Sequence, residues 1–141
     1  MKIVLDVNVW ISALLWGGIP GKILRLARNQ QVNIFTSEAL FLELETTLRR
    51  AKFQPRLQQR GYTVEDLISI AKAFSESYPT EALDIPELRD PKDIKIIEAA
   101  LASDVEAIIT GDLDLLVLRE FNEIPILTPQ AFLNRYFAET L

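Results

Sequence analysis

The chain has 141 residues, 49% of them hydrophobic and 25% charged, a balance that excludes a disordered chain and suits one globular domain with a sizeable core. Its 15 Lys and Arg stand against 20 Asp and Glu, a net charge of −5, and it contains neither Cys nor His. Those two absences exclude disulfides, a thiolate nucleophile, zinc–thiolate sites, Ser–His–Asp hydrolysis and the paired-His route to RNA cleavage, so that any catalyst here must use carboxylates, hydroxyls, Lys, Arg, Tyr or a hard metal ion.

Taken in chain order, Ile3-Val4-Leu5 is a short apolar run that reads as a buried strand and stops at Asp6. The early charge also argues against a signal peptide, and no run approaches the about 18 apolar residues of a membrane span, so the expected location is the cytoplasm. A helical pattern follows through Val9 and Leu14 until Gly17-Gly18-Ile19-Pro20-Gly21 breaks it, and Ile23, Leu24 and Ala27 resume it. Val32 to Phe35 reads as a second strand. Thr36 or Ser37 can cap the next helix, which carries Leu40, Leu44 and Leu48. The stretch 52–87 reads as a variable helical arm, with a helix over Val64 to Tyr78 and a short strand over Ala82 to Ile85. Asp90-Pro91 opens another helix, Pro standing at its first position. Ala107 to Thr110 is a strand stopped by Gly111-Asp112. Pro125 to Leu127 is a last strand, and Pro129 starts a terminal helix with Phe132 and Phe137. Strands that are short, continuously apolar and interleaved with helices predict an α/β fold, with a parallel β-sheet between helices in a three-layer α/β/α sandwich and one domain over residues 1–141.

Ligands of open parallel sheets bind beyond the carboxyl ends of the strands. Asp6 and Asp112 both stand there; the plain alternative for each is a helix cap. Asp93 shares a helical face with Ile96, Ile97 and Ala100, three, four and seven residues on, so it points inward while Lys92 and Lys95 point elsewhere. Its plain alternative is to complete a capping box with Asp90. Glu43 and Glu45 lie on opposite edges of the Leu40–Leu44–Leu48 stripe, and periodicity does not choose between them. Asp114 stands two residues after Asp112 as an auxiliary acid. Acids that converge repel one another unless a cation joins them, and an all-oxygen donor set suits Mg²⁺ or Mn²⁺.

The runs Ile3 to Leu14, Ser37 through Glu43-Leu44 to Leu48, Asp90-Pro91-Lys92-Asp93 and Ile109 to Leu116 resemble the PIN domain, most closely its VapC-related subgroup of toxin components of toxin–antitoxin pairs. Ile126 to Leu133 also resembles that subgroup's ending. The resemblance implies a metal-dependent ribonuclease with acidic positions at Asp6, Glu43, Asp93 and Asp112, Asp114 as an occasional further member, and small polar neighbours at Asn8 and Thr110. It singles out Glu43 over Glu45. It further implies Mg²⁺ or Mn²⁺ as cofactor, an RNA substrate, an antitoxin protein as a partner, and a homodimer. Hydrolysis would leave a 5′-phosphate and a 3′-hydroxyl, with no cyclic phosphate.

A net charge of −5 opposes binding to a polyanion, so distribution has to matter more than the sum. Arg49, Arg50, Lys52, Arg56 and Arg60 cluster in the sequence, and with Lys22, Arg25 and Arg28 they are candidates for a basic rim. Trp16 and Tyr62 are candidates for stacking on bases, whereas Trp10 reads as core. Two other readings compete. An aspartyl phosphatase similar to the haloacid dehalogenase family wants a second Asp two residues after the first, where this chain has Asn8. A catalytically inactive nucleic-acid or antitoxin binding module does not need all four acids.

Overall fold

In the computed structural model, which describes residues 1–138, the chain begins with strand β1 (Lys2–Leu5) and runs through helices α1 (Val7–Leu15) and α2 (Gly18–Arg28) to β2 (Asn33–Thr36). Helix α3 (Glu38–Leu48), a 3₁₀ turn at Ala51–Phe53, α4 (Gln54–Arg60) and α5 (Val64–Ala73) lead to β3 (Ser75–Ser77). Then come α6 (Pro91–Ser103), β4 (Ala107–Ile109), α7 (Leu113–Leu116), β5 (Glu120–Phe121), β6 (Ile124–Leu127) and α8 (Pro129–Tyr136). The strands form one sheet in the order β3-β2-β1-β4-β6-β5, parallel except where β5 pairs with β6. Helices flank this sheet in the three-layer α/β/α arrangement expected of the sequence.

The apolar strands occupy the middle because they are buried on both faces. Ile3, Val4, Leu5, Ala107, Ile108 and Ile109 are all fully buried, and such runs need helices over both sides of the sheet. Trp10 lies in the core, as read from the sequence, and Trp16 is half exposed. The break between α1 and α2 falls at Gly17 and Gly18, both with positive φ, a conformation glycine adopts without steric cost.

The arm departs from its sequence reading in two places. The helix predicted over Val64 to Tyr78 ends at Ala73, and Ser75–Ser77 joins the sheet beside β2 in parallel register, Phe35 opposite Glu76. Ala82 to Ile85 is not a strand. The outer edge of β3 stays unpaired, because the segment is instead tied to α6 by Leu83 N–H donating to Glu98 and by the buried Ile85. Phe132, from α8, is fully buried, and its helix is capped by Thr128.

Candidate active site

Sheet register brings the first two acids together. β1 and β4 are neighbours with Leu5 opposite Ile109, and the Asp6 N–H extends the ladder by donating to the Ile109 carbonyl at 2.9 Å. Asp6 and Asp112 therefore leave adjacent strands at the same end of the sheet. Asp6 occupies the N-cap position of α1 yet its side chain makes no cap bond. Its Oδ2 accepts instead from the Thr110 hydroxyl at 2.6 Å. The same hydroxyl oxygen accepts from the Asp112 N–H at 3.0 Å, and Thr110 is fully buried. One threonine thus fixes both strand-end acids. Asp112 does cap, its Oδ1 accepting from the Asp114 N–H at 2.8 Å.

Helix α6 delivers the third acid. Asp90 caps it by accepting from the Lys92 N–H at 2.9 Å, Pro91 fills its first position, and Asp93 plays no part in that cap. Asp93 is only 3% exposed. Carboxylate oxygens of Asp93, Asp112 and Asp114 lie within 4.8 Å of one another. Helix α3, capped by Ser37 rather than Thr36, contributes Glu43 from its middle turns. Glu45 faces away and pairs with Arg49 at 3.0 Å.

Asp6, Asn8, Glu43, Asp93 and Asp112 all line one cavity of about 220 Å³. Asp90, Thr47, Arg50, Lys52 and Lys92 line it too. Lys92, read from the sequence as pointing elsewhere, puts its Nζ 3.9 Å from Glu43 Oε1. Its backbone does diverge from Asp93 around the helix, but a four-carbon stem at a helix start can bend back over the opening. Asp90 was legible as a cap and not as a wall of the cavity. Of the predicted basic rim, Arg50 and Lys52 reach the cavity. Arg49 is held by Glu45 and Glu65, and Arg56 donates to the Leu15 carbonyl at 2.8 Å while lying over the Trp16 ring. A larger cavity, about 480 Å³, lies at the starting ends of β2 and β3; Glu76 is the one carboxylate in its lining.

The electrostatics of the acids follow from this crowding. Burial lifts Asp93 most, the hydrogen bond and charge of Asp112 add to it, Asp90 and Asp6 add less, and the group is pushed up to about 7. Burial also raises Asp6, against the opposing hydrogen bond from Thr110. Burial raises Glu43, with Lys92 pulling the other way. Such a set is costly without a counter-charge, and every donor atom in it is a carboxylate oxygen. It fits a hard divalent cation held by Asp93, Asp112 and Asp114; Asp6 and Glu43 share the cavity with Asp93 and Asp112, while Asp114 lies outside its lining.

The family described as PIN domain matches this chain over residues 2–114, a span that contains all five of these acids. A protein of Methanocaldococcus jannaschii, itself described only as uncharacterized, is 30% identical over an aligned length of 145, covering 96% of this chain and 92% of its own. No solved structure matches the chain significantly.

Proposed function

The chain belongs to the PIN domain family, a family of nucleases, and on that premise we propose that it is a Mg²⁺- or Mn²⁺-dependent endoribonuclease, the toxin component of a cytoplasmic toxin–antitoxin pair. The observation that carries the nuclease reading is the meeting of Asp6, Glu43, Asp93 and Asp112 in one cavity from four separate parts of the chain. The toxin role, an antitoxin partner and a homodimer rest on the likeness to that subgroup of Ile3 to Leu14, Ser37 to Leu48, Asp90 to Asp93 and Ile109 to Leu116, together with the ending Ile126 to Leu133.

Asp93, Asp112 and Asp114 would hold the ion, with Asp6 and Glu43 completing its surroundings. When bound, the ion supplies activation of water and neutralisation of charge on the phosphate. The chain's own residues do the rest. Thr110 keeps the Asp6 carboxylate aimed into the cavity and holds the Asp112 backbone at a fixed distance from it. Arg50, Lys52 and Lys92, which line the same cavity as the acids, attract and orient the phosphodiester. Asn8 offers a neutral amide at the rim, where an aspartyl phosphatase would need a second acid. That, with no acid of the set replaced, favours the nuclease over both the phosphatase and the inactive binding module.

The test is cleavage of single-stranded RNA by the purified protein with Mn²⁺, beside Asp6→Asn and Asp93→Asn prepared in parallel. The wild type is expected to leave 5′-phosphate and 3′-hydroxyl ends, and both variants to lose more than about 100-fold in rate while staying folded. Full activity in the variants, or 2′,3′-cyclic phosphate ends, overturns the reading.

A further inference from the structure

Beside the acid cavity lies a second groove, of about 270 Å³, and the two share Glu43, Thr47, Arg50 and Lys92 in their walls. Its own part is built by α3 and the first turns of α6. Ala39, Leu42 and Thr46 form an apolar floor, and Lys95 joins Arg50 and Lys92 along the flank. Leu42 is 64% exposed, although the helix has buried positions at Leu40, Leu44 and Leu48. A lone exposed leucine is ordinary. Here it floors a concave surface flanked by three cations, and neither Arg50 nor Lys95 has an ion pair among the described residues. In a chain with five surplus negative charges, three cations in one groove, two of which, Arg50 and Lys92, also line the acid cavity, mark where a polyanion would approach.

We infer that this groove is a subsite for the nucleotide next to the scissile phosphate of a single-stranded nucleic acid. The base or ribose face would lie on Leu42, Ala39 and the Thr46 methyl, and the adjoining phosphate would sit against Lys95, Arg50 and Lys92. Continuity of the two cavities selects this occupant. A strand whose reacting phosphate sits at the acids must run into whatever opens beside them, and a neighbouring phosphate finds cations there. An acidic peptide fits the groove's flank but would carry its further carboxylates into the acid wall. The subsite rests on the nuclease reading and concerns where the substrate lies.

Two substitutions probe it. Leu42→Glu puts a negative charge on the floor, and Lys95→Ala removes a phosphate partner; both positions keep some solvent exposure, and thermal unfolding checks that both variants fold. Binding is read by fluorescence anisotropy with a labelled single-stranded RNA of about ten nucleotides, in an Asp6→Asn background so that the strand stays whole. Leu42→Glu is expected to weaken binding about 10-fold and Lys95→Ala about 3- to 10-fold, with Lys95→Arg restoring it and Lys72→Ala, on α5, without effect. In the otherwise wild-type enzyme the same changes should raise KM for RNA by similar factors and leave kcat within about twofold, since they act on binding away from the reacting atoms. RNA cutting with unchanged KM and unchanged affinity in both variants overturns the subsite and leaves the nuclease standing. Failure of the wild type to bind or cut RNA overturns both. Loss of self-association or of protein binding by Leu42→Glu, with RNA affinity intact, assigns the groove to a protein and overturns the subsite.

Discussion

Asp93 is buried beside Asp112, with Asp90 and Asp6 near, and is lifted from 3.8 to about 7. Between those two values the folded chain keeps a proton that the unfolded chain has lost. Stability of the metal-free protein therefore falls as pH rises through that window and is lowest above it. Asp6 and Glu43 are raised as well and act in the same direction. Each pKa unit corresponds to about 1.4 kcal/mol at most, and relaxation lowers the figure, so a loss of about 1–3 kcal/mol between pH 5 and pH 8 is expected in urea unfolding with a chelator present. Asp93→Asn should flatten that dependence and be more stable than wild type at pH 8, while abolishing cleavage. Added Mn²⁺ should stabilise the wild type more at pH 8 than at pH 5, because the ion competes with the proton for the same oxygens. A wild type that is more stable at pH 8 than at pH 5 without metal would contradict the crowded arrangement. Thr110 offers a separate test. Thr110→Val keeps the shape but leaves the half-buried Asp112 N–H without its acceptor and Asp6 without the hydroxyl donor. It should cost about 1–3 kcal/mol in unfolding free energy and lower kcat, and Thr110→Ser should recover most of both.

Elements deliver the acids, and their caps show which carboxylates are committed to structure. Asp90 and Asp112 spend an oxygen on a backbone N–H at a helix start, whereas Asp6, in the same position on α1, does not. The β5–β6 hairpin carries a prediction of its own. Asn122 and Glu123 both have positive φ between Phe121 and Ile124, as a two-residue type I′ turn requires. Glu123→Gly should therefore stabilise the protein by about 0.5–1 kcal/mol in urea unfolding without touching activity; a decrease would mean the glutamate side chain contributes more than its backbone strain costs. This hairpin also shows where sequence patterns run out. β1 and β4 were legible because Ile3-Val4-Leu5 and Ala107-Ile108-Ile109 are apolar on both faces, and α6 because Asp90-Pro91 is a strong start signal. β5 is two residues held in place by a turn, and β3 is Ser-Glu-Ser, whose pairing comes from the open edge of β2 and not from its side chains. Strand-end logic found Asp6 and Asp112 and helical periodicity found Asp93. Neither separated Glu43 from Glu45, because both flank the buried stripe equally and only the packing of α3 beside α6 chooses.

Across the whole molecule, the puzzle of a nucleic-acid enzyme with net charge −5 is answered by placement. Sequence proximity suggested one basic rim from Arg49 to Arg60, but the fold divides it. Arg49 is neutralised by Glu45 and Glu65, and Arg56 serves the Leu15 carbonyl and Trp16. The cations that share the cavity with the acids are Arg50, Lys52 and Lys92, with Lys95 in the adjoining groove. With RNA as the proposed substrate, this sorting predicts the salt dependence of its binding. Each phosphate neutralised on a single strand contributes about 0.7 to the slope of log K against log salt, so the three cations of this set without an ion pair among the described residues, Arg50, Lys52 and Lys95, give a slope of about 2 in magnitude, modest for a nucleic-acid protein. Arg50→Ala should lower that slope by about 0.7 and weaken binding at low salt, whereas Arg49→Ala should leave it unchanged, since its charge is already met by two glutamates. Equal effects of the two substitutions would return the substrate path to the outer face of α3 and α5, away from the cavity that holds the carboxylates. Because Arg49 and Arg50 are adjacent in the chain, their comparison isolates position around the helix end from every difference in composition or distance along the sequence.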